Sequence, residues 1–167
     1  MLELRLSELA QSLGVDCESG DAVVTGLAID SRVVKPGDLF VAIDGEHVDG
    51  HDFIDKALGN GAAAIACTRP INIAAPHIEA ADSHQVCAIY GQLIRDRFHG
   101  SVIGITGSAG KTTAKSFLES ICGRAGTTVA TLGNQNNELG VPLTLARLSA
   151  DPTLSLIHIS EPTRRTI

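Results

Sequence analysis

The chain has 167 residues, 44% of them hydrophobic and 19% charged, with a formal net charge of −6. This is the composition of a soluble globular protein of one or two domains, and its acidity excludes a general attraction to nucleic acid or to anionic membrane surfaces. Aromatic residues make up only 3%, so the core must be built from Ala, Val, Ile and Leu.

Met1 leads into Leu2, Glu3, Leu4 and Arg5, an amphipathic start without a signal-peptide core, and no apolar run is long enough to span a bilayer. Leu2, Leu4, Leu6, Leu9 and Leu13 predict a short strand running into an amphipathic helix ended by Gly14. Val23, Val24, Leu27 and Ile29 form the next strand-like run. A turn follows at K-P-G-D (Lys35 to Asp38), then a buried strand from Leu39 to Ile43. Phe53 to Leu58 reads as a helix, Ala62 to Cys67 as a strand and Ser83 to Phe98 as a long helix. Alternating strands and helices predict a small α/β unit over residues 1–99. Cys17, Cys67, Cys87 and Cys122 are widely spaced and form no C-x-x-C pair, which fits reduced thiols in a cytoplasmic protein. His47 and His51 have i,i+4 spacing, but Asp49 and Gly50 between them make a helical metal pair improbable.

A second unit begins at Gly100. The strand Val102 to Ile105 feeds G-I-T-G-S-A-G-K-T-T (Gly104 to Thr113), and a helix is predicted from Thr112 to Arg124. Backbone N–H groups of such a loop and the helix N-terminus converge on a phosphate, with a lysine as point charge and a hydroxyl for magnesium. The general pattern G-x-x-x-x-G-K-[ST] would place its first glycine where Ile105 stands, so this is the shorter form T-G-[ST]-x-G-K-T. Thr128 to Thr131 is the next strand, followed by the polar stretch L-G-N-Q-N-N-E-L-G-V-P and a helix from Pro142 to Leu148. This is one βαβ unit of an open parallel sheet, with its ligand at the carboxyl end of the first strand.

Three motifs carry a resemblance to the Mur ligases: A-I-D-S-R-V-V-K-P-G-D-L-F-V-A-I-D-G-E-H-V-D-G-H-D-F-I (Ala28 to Ile54), the T-G-S-A-G-K-T-T loop, and G-N-Q-N-N-E-L-G-V-P-L-T-L (Gly133 to Leu145). The third is similar to the MurF branch and differs from MurE. The resemblance covers Leu6 to Asp151. It implies a uridine-nucleotide-binding domain over 1–99 and the start of an ATP-binding domain over 100–153. It also implies a monomeric, ATP- and Mg2+-dependent ligase of peptidoglycan synthesis. In such an enzyme the terminal carboxylate of UDP-MurNAc-tripeptide is phosphorylated to an acyl phosphate, which the amine of D-alanyl-D-alanine attacks.

The resemblance assigns Lys111 to the β- and γ-phosphates as the catalytic cation, Thr112 to magnesium, and Gly107, Ser108, Ala109, Gly110 and Thr113 to phosphate oxygens. Asp30, Ser31 and Arg32 match the D-S-R stretch at the uridine-nucleotide pocket; their other reading is a strand-end turn with a surface ion pair. The polar loop Glu46, His47, Asp49, Gly50, His51 and Asp52 either approaches the sugar nucleotide or is exposed without a ligand. Asn134, Asn136, Asn137 and Glu138 are poor helix or strand material and either lie near substrate or magnesium or form a plain turn. Beyond Asp151 the string L-S-L-I-H-I-S-E-P-T-R (Leu154 to Arg164) resembles translated sequencing adapter, so 154–167 is expected to be foreign to the fold and the chain itself inactive; the other reading is an authentic strand, since Leu154, Leu156, His158 and Ser160 alternate with Ser155, Ile157 and Ile159. The alternatives are a MurE-type ligase, a phosphate-loop GTPase or kinase, and a non-catalytic nucleotide-binding fragment.

Overall fold

The computed structural model describes residues 2–45, 48–107, 109–131 and 139–148, and the backbone of 154–158. The chain opens with β1 (Leu4–Arg5) and α1 (Leu6–Leu13). Leu6, Leu9 and Ala10 fall on one face of α1 and are buried, and Gly14, in the left-handed region at φ 71°, ends the helix. The strand-like run from Val23 to Ile29 is divided. Of the next three strands, β2 (Cys17–Glu18), β3 (Val23–Val24) and β4 (Gly26–Ala28), β3 pairs antiparallel with β1, whereas β4 enters the main sheet.

That sheet is completed by β5 (Asp38–Val41), β6 (Ala64–Cys67) and β7 (His77–Glu79), in the order β2-β7-β6-β5-β4. The strands from β4 to β7 are parallel, and β2 runs antiparallel at the edge. The turn before β5 is closed twice: Asp38 N–H donates to the Lys35 carbonyl (3.0 Å), and Asp38 Oδ2 accepts the Lys35 N–H (2.8 Å). Gly37 takes φ 91°, the left-handed conformation a type II turn demands.

Helices cover both faces, which is why the strands read as unbroken apolar runs rather than alternating ones. Leu39, Val41, Ala64 and Ala66 point to a core shared with α1 and with α3 (Ser83–Arg97). Phe40, Ala42 and Ile65 point the other way, to α2 (Ile54–Gly59), which continues a 3₁₀ turn at Gly50–Phe53. Tyr90 of α3 is fully buried, and its hydroxyl has no hydrogen-bond partner among the described residues.

The second sheet contains β8 (Val102–Ile105), β9 (Thr128–Ala130) and β10 (Leu154–His158), with α4 (Lys111–Cys122) and α5 (Gly140–Leu145) between them in sequence. All three strands are parallel in the order β8-β10-β9. The two strands joined by α4 therefore do not pair, because β10 stands between them. The βαβ crossover through α4 spans two strand widths. Residues 139–148 pack back on the first unit: Leu145, Ala146 and Leu148 belong to the α1/α3 core, and Leu2 N–H donates to the Leu148 carbonyl (3.3 Å). Gly91 of α3 makes that approach possible, since a Cβ there would stand 3.0 Å from Pro142 Cα.

Candidate functional site

A cavity of about 640 Å³ opens at the carboxyl ends of β4 and β5, where a parallel sheet presents unpaired backbone and loop ends to a ligand. One wall is Ile29, Asp30, Ser31 and Arg32, which directly follow β4; the opposite wall is Gly45, Val48 and Gly50. Lys56 of α2 supplies a cation, and Leu139 reaches in from the second unit.

The D-S-R stretch follows β4 as a strand-end turn. It lines the cavity, and it carries an ion pair. Arg32 Nη2 lies 2.6 Å from Asp30 Oδ2 and Arg32 Nε 2.9 Å from Asp30 Oδ1, with the Arg32 N–H also bonded to Oδ1 at 2.9 Å. These bonds hold the Asp30 carboxyl at about 2. The Ser31 carbonyl accepts from Asn60 Nδ2 (2.8 Å), tying the wall to the end of α2.

The polar loop on the other side is turned inward in part. His51 is buried at 9% exposure, with Nδ1 2.7 Å from Asp49 Oδ1 and Nε2 3.1 Å from the Thr68 N–H, so it does not reach toward a ligand. Asp49 also bonds the His51 N–H and pairs with Arg69 at 2.6 Å, and its carboxyl is held at about 2, chiefly by that backbone bond. Glu46 and His47 lie outside the described residues.

The phosphate loop leaves β8 at Ile105 and enters α4 at Lys111. Gly107 (φ 147°) and Gly110 (φ 76°) both take backbone conformations closed to other residues. A Cβ at Gly110 would meet no atom within 4 Å, so glycine is required there by conformation, and the space above the helix N-terminus is open. Lys111 Nζ donates back to the Gly107 carbonyl, holding the ammonium over the loop. Ala109, Thr112 and Thr113 are exposed. These residues fit a nucleotide phosphate and a magnesium ion: open donors at a helix N-terminus, one cation held above them, and a free hydroxyl one residue into the helix. Ser108, Asn134, Asn136, Asn137 and Glu138 lie outside the described residues.

Two lysines the sequence reading passed over stand in this region, Lys56 lining the cavity and Lys115 in the helix that follows the phosphate loop. Lys56 carries no motif signal. Lys115 lies one turn beyond Lys111 and is buried at 6% exposure, with Nζ 2.6 Å from the Thr131 carbonyl at the end of β9. The i,i+4 spacing from Lys111 was the available signal, because it places both lysines on the face of α4 that meets the sheet.

Sequence comparison decides the family. The profile described as "Mur ligase family, catalytic domain" matches residues 23–107, and that of the "Mur ligase middle domain" matches 105–160. The chain belongs to the Mur ligase family. It is 35% identical, over 95% of its length, to UDP-N-acetylmuramoyl-tripeptide–D-alanyl-D-alanine ligase of Escherichia coli K12, and covers 35% of that protein. It is 34% identical over 92% of its length to the Listeria innocua UDP-N-acetylmuramoyl-L-alanyl-D-glutamate–2,6-diaminopimelate ligase, covering 32% of it. The fold matches a crystal structure of MurF from Acinetobacter baumannii with TM-score 0.83 and 30% identity, over 96% of this chain and 36% of that one. MurF of Thermotoga maritima, solved in complex with ADP, matches with TM-score 0.69 and 34% identity over 81% of this chain and 32% of that one. The chain thus spans about a third of the length of the relatives it matches. Among the described residues no helix is long and apolar enough to cross a membrane, and no cluster of His, Cys, Asp and Glu is placed to hold a metal ion.

Proposed function

We propose that this chain supplies the sugar-nucleotide pocket and the phosphate loop of a cytoplasmic, monomeric ligase that joins D-alanyl-D-alanine to UDP-MurNAc-tripeptide at the expense of ATP. The observation that carries the reading is the presence of two differently built sites in one chain. One is a cavity at the carboxyl edge of β4 and β5, walled by the D-S-R stretch. The other is a glycine-rich loop with Lys111 held over an open helix N-terminus. The division of labour follows: residues 1–99 hold the uridine nucleotide, and residues 100–153 begin the ATP domain, with α5 as the contact between them.

In this reading the chain's own groups position and neutralise charge, and none of them acts as a nucleophile. The N–H groups from Gly107 to Gly110 hold phosphate oxygens. Lys111 exchanges its internal bond to the Gly107 carbonyl for the β- and γ-phosphates and offsets the charge that develops as the γ-phosphoryl group passes to the substrate carboxylate. Thr112 would hold the magnesium ion, which supplies further charge neutralisation when bound. Attack of the D-alanyl-D-alanine amine on the acyl phosphate expels phosphate and leaves the amide. The Gly133 to Leu145 motif favours this branch over the diaminopimelate-adding one.

The test is a substrate-resolved ligation assay in a full-length ligase carrying this segment. Phosphate release should require UDP-MurNAc-tripeptide with D-alanyl-D-alanine, and Lys111→Ala should lower kcat about 100- to 1000-fold, as loss of one preorganised electrostatic group does elsewhere. Near-normal turnover of Lys111→Ala, or dependence on UDP-MurNAc-dipeptide and diaminopimelate instead, defeats the proposal.

A further inference from the structure

The loop between Ile43 and His51 forms one wall of the cavity through Gly45, Val48 and Gly50, yet it has almost nothing apolar to hold it in place. Val48, the one large apolar side chain at its tip, is 60% exposed. The base is closed by backbone: Gly50 N–H donates to the Ile43 carbonyl (2.8 Å), Gly45 N–H donates to the Val48 carbonyl (3.2 Å), and Asp44 bridges Asp49. A Cβ at Gly50 would fall 2.6 Å from Ile43 N, so only glycine permits this closure. These bonds define the shape of the loop. They do not fix it against the sheet.

Two side chains carry that second task, Asp49 through Arg69 and His51 through the Thr68 N–H. Thr68 lies just beyond the carboxyl end of β6, and its backbone N–H points at His51 Nε2 from 3.1 Å. An N–H donor requires a lone pair there, so the single ring proton of the neutral imidazole sits on Nδ1, where Asp49 Oδ1 accepts it at 2.7 Å. Arg69, the next residue after Thr68, pairs with the other oxygen of Asp49 at 2.6 Å. The charged groups facing the ring are thus Asp49 from its own loop and, through Asp49, Arg69 from the end of β6. The ring is a bridge with a loop carboxylate on one nitrogen and the sheet edge on the other.

We infer that His51 is the positioning residue of this cavity: its imidazole, with the proton on Nδ1, ties the wall made by Gly45, Val48 and Gly50 to the end of β6. The inference rests on the reading of the cavity as a uridine-nucleotide pocket. His51 touches no ligand in this arrangement. It acts by fixing loop backbone before the ligand arrives, so ordering that backbone is not charged against binding.

The experiment measures UDP-MurNAc-tripeptide binding to the 167-residue chain by calorimetry for the wild type, His51→Ala, His51→Asn and His51→Gln, with ¹⁵N spectra of the wild-type imidazole. Gln places an acceptor where Nε2 stands and can receive the Thr68 N–H; Asn places a donor where Nδ1 stands and can serve only Asp49. His51→Ala and His51→Asn should each weaken binding at least tenfold, and His51→Gln should recover most of the loss. The wild-type spectrum should show Nε2 unprotonated and Nδ1 protonated. Affinity of His51→Ala within twofold of wild type, equal loss in all three variants, or a proton on Nε2 overturns the inference. Should His51→Ala fail to fold, the Gln and Asn pair and the wild-type tautomer still decide it. A wild-type chain that does not bind the sugar nucleotide, yet shows the Nδ1–H tautomer, refutes the reading of the cavity and not the clamp.

Discussion

The two sheets of this molecule are built to different depths. In the first, every residue of β5 and β6 is buried, because α1 and α3 close one face and α2 the other. In the second, the residues of β8 are half-buried or exposed, and the only buried side chain of α4 is Lys115, while Phe117 and Ile121 are each 65% exposed. The contrast shows that burial of a strand depends on having a layer on each side, and that apolar sequence alone does not secure it. Both units carry a candidate site at the carboxyl edge of parallel strands. One site stands on a finished core, and the other on a helix whose outer face remains apolar.

The sharpest way to break this comparison is to truncate one aromatic in each unit. Phe40→Ala removes a fully buried ring that β5 packs toward α2 and should cost about 3–5 kcal/mol in chemical denaturation. Phe117→Ser, on the outer face of α4, should fall within about 0.5 kcal/mol of wild type and improve solubility. Similar losses from the two substitutions would mean that the α4 face is covered in solution.

A smaller effect is expected where the second unit leans on the first. Gly91→Val drives a branched side chain into Pro142 and should destabilise by about 1–3 kcal/mol through loss of the α3–α5 contact. Fluorescence labels on α3 and α5 would report whether the loss is confined to that seam. Smaller again, and opposite in sign, is Tyr90→Phe. The Tyr90 hydroxyl is buried without a partner among the described residues, and burial pushes its ionisation well above the usual tyrosine range. Deleting the hydroxyl should therefore stabilise the first unit by about 1 kcal/mol in thermal melts.

The smallest effect is acid sensitivity of the cavity walls. Asp30 and Asp49 are both held at about 2, below the value of about 3.9 for an unfolded aspartate. Groups lowered by folding contribute stability that is complete above about pH 4 and is lost as pH falls through 2. Asp38, raised by burial, works in the opposite direction because protonation relieves it. The net slope between pH 4 and 2 should be shallow, because Asp30 and Asp49 are solvent-screened, and weaker still in high salt. An Asp30→Asn, Asp49→Asn double variant should flatten it in pH-dependent melts.

Much of this architecture was readable from residue order. The β5 and β6 runs, the turn at Lys35 to Asp38 and the glycine-rich loop each carry a local reason for their shape, and local reasons survive without knowledge of the fold. β2 and β7 escaped because they are two- and three-residue strands of mixed polarity, Cys17–Glu18 and His77–Glu79, held by pairing with distant partners. The run Val23 to Ile29 looked continuous because nothing in its composition reveals that Val24 and Gly26 pair with different sheets. In α4 the residue order does not announce which face meets the sheet: Lys115 is buried and Phe117 exposed. The D-S-R wall was legible as a motif. The clamp at His51 was not, because its partner Thr68 lies 17 residues away with no sequence signal of its own.

The closure of the first core by residues 145–148 bears on how this protein is made. Leu4 and Leu6 share their core with Leu145 and Leu148, and the Leu2 N–H is bonded to the Leu148 carbonyl. A ribosome adding roughly 5–20 residues per second exposes β4 to β7 several seconds before that closing segment emerges. During this interval the face bearing α1 and α3 is unsealed, and the nascent chain presents an apolar seam that residues 145–148 cover later. Synthesis order thus makes the first unit a client of the second: its folding finishes late, although nearly all of its strands are made early.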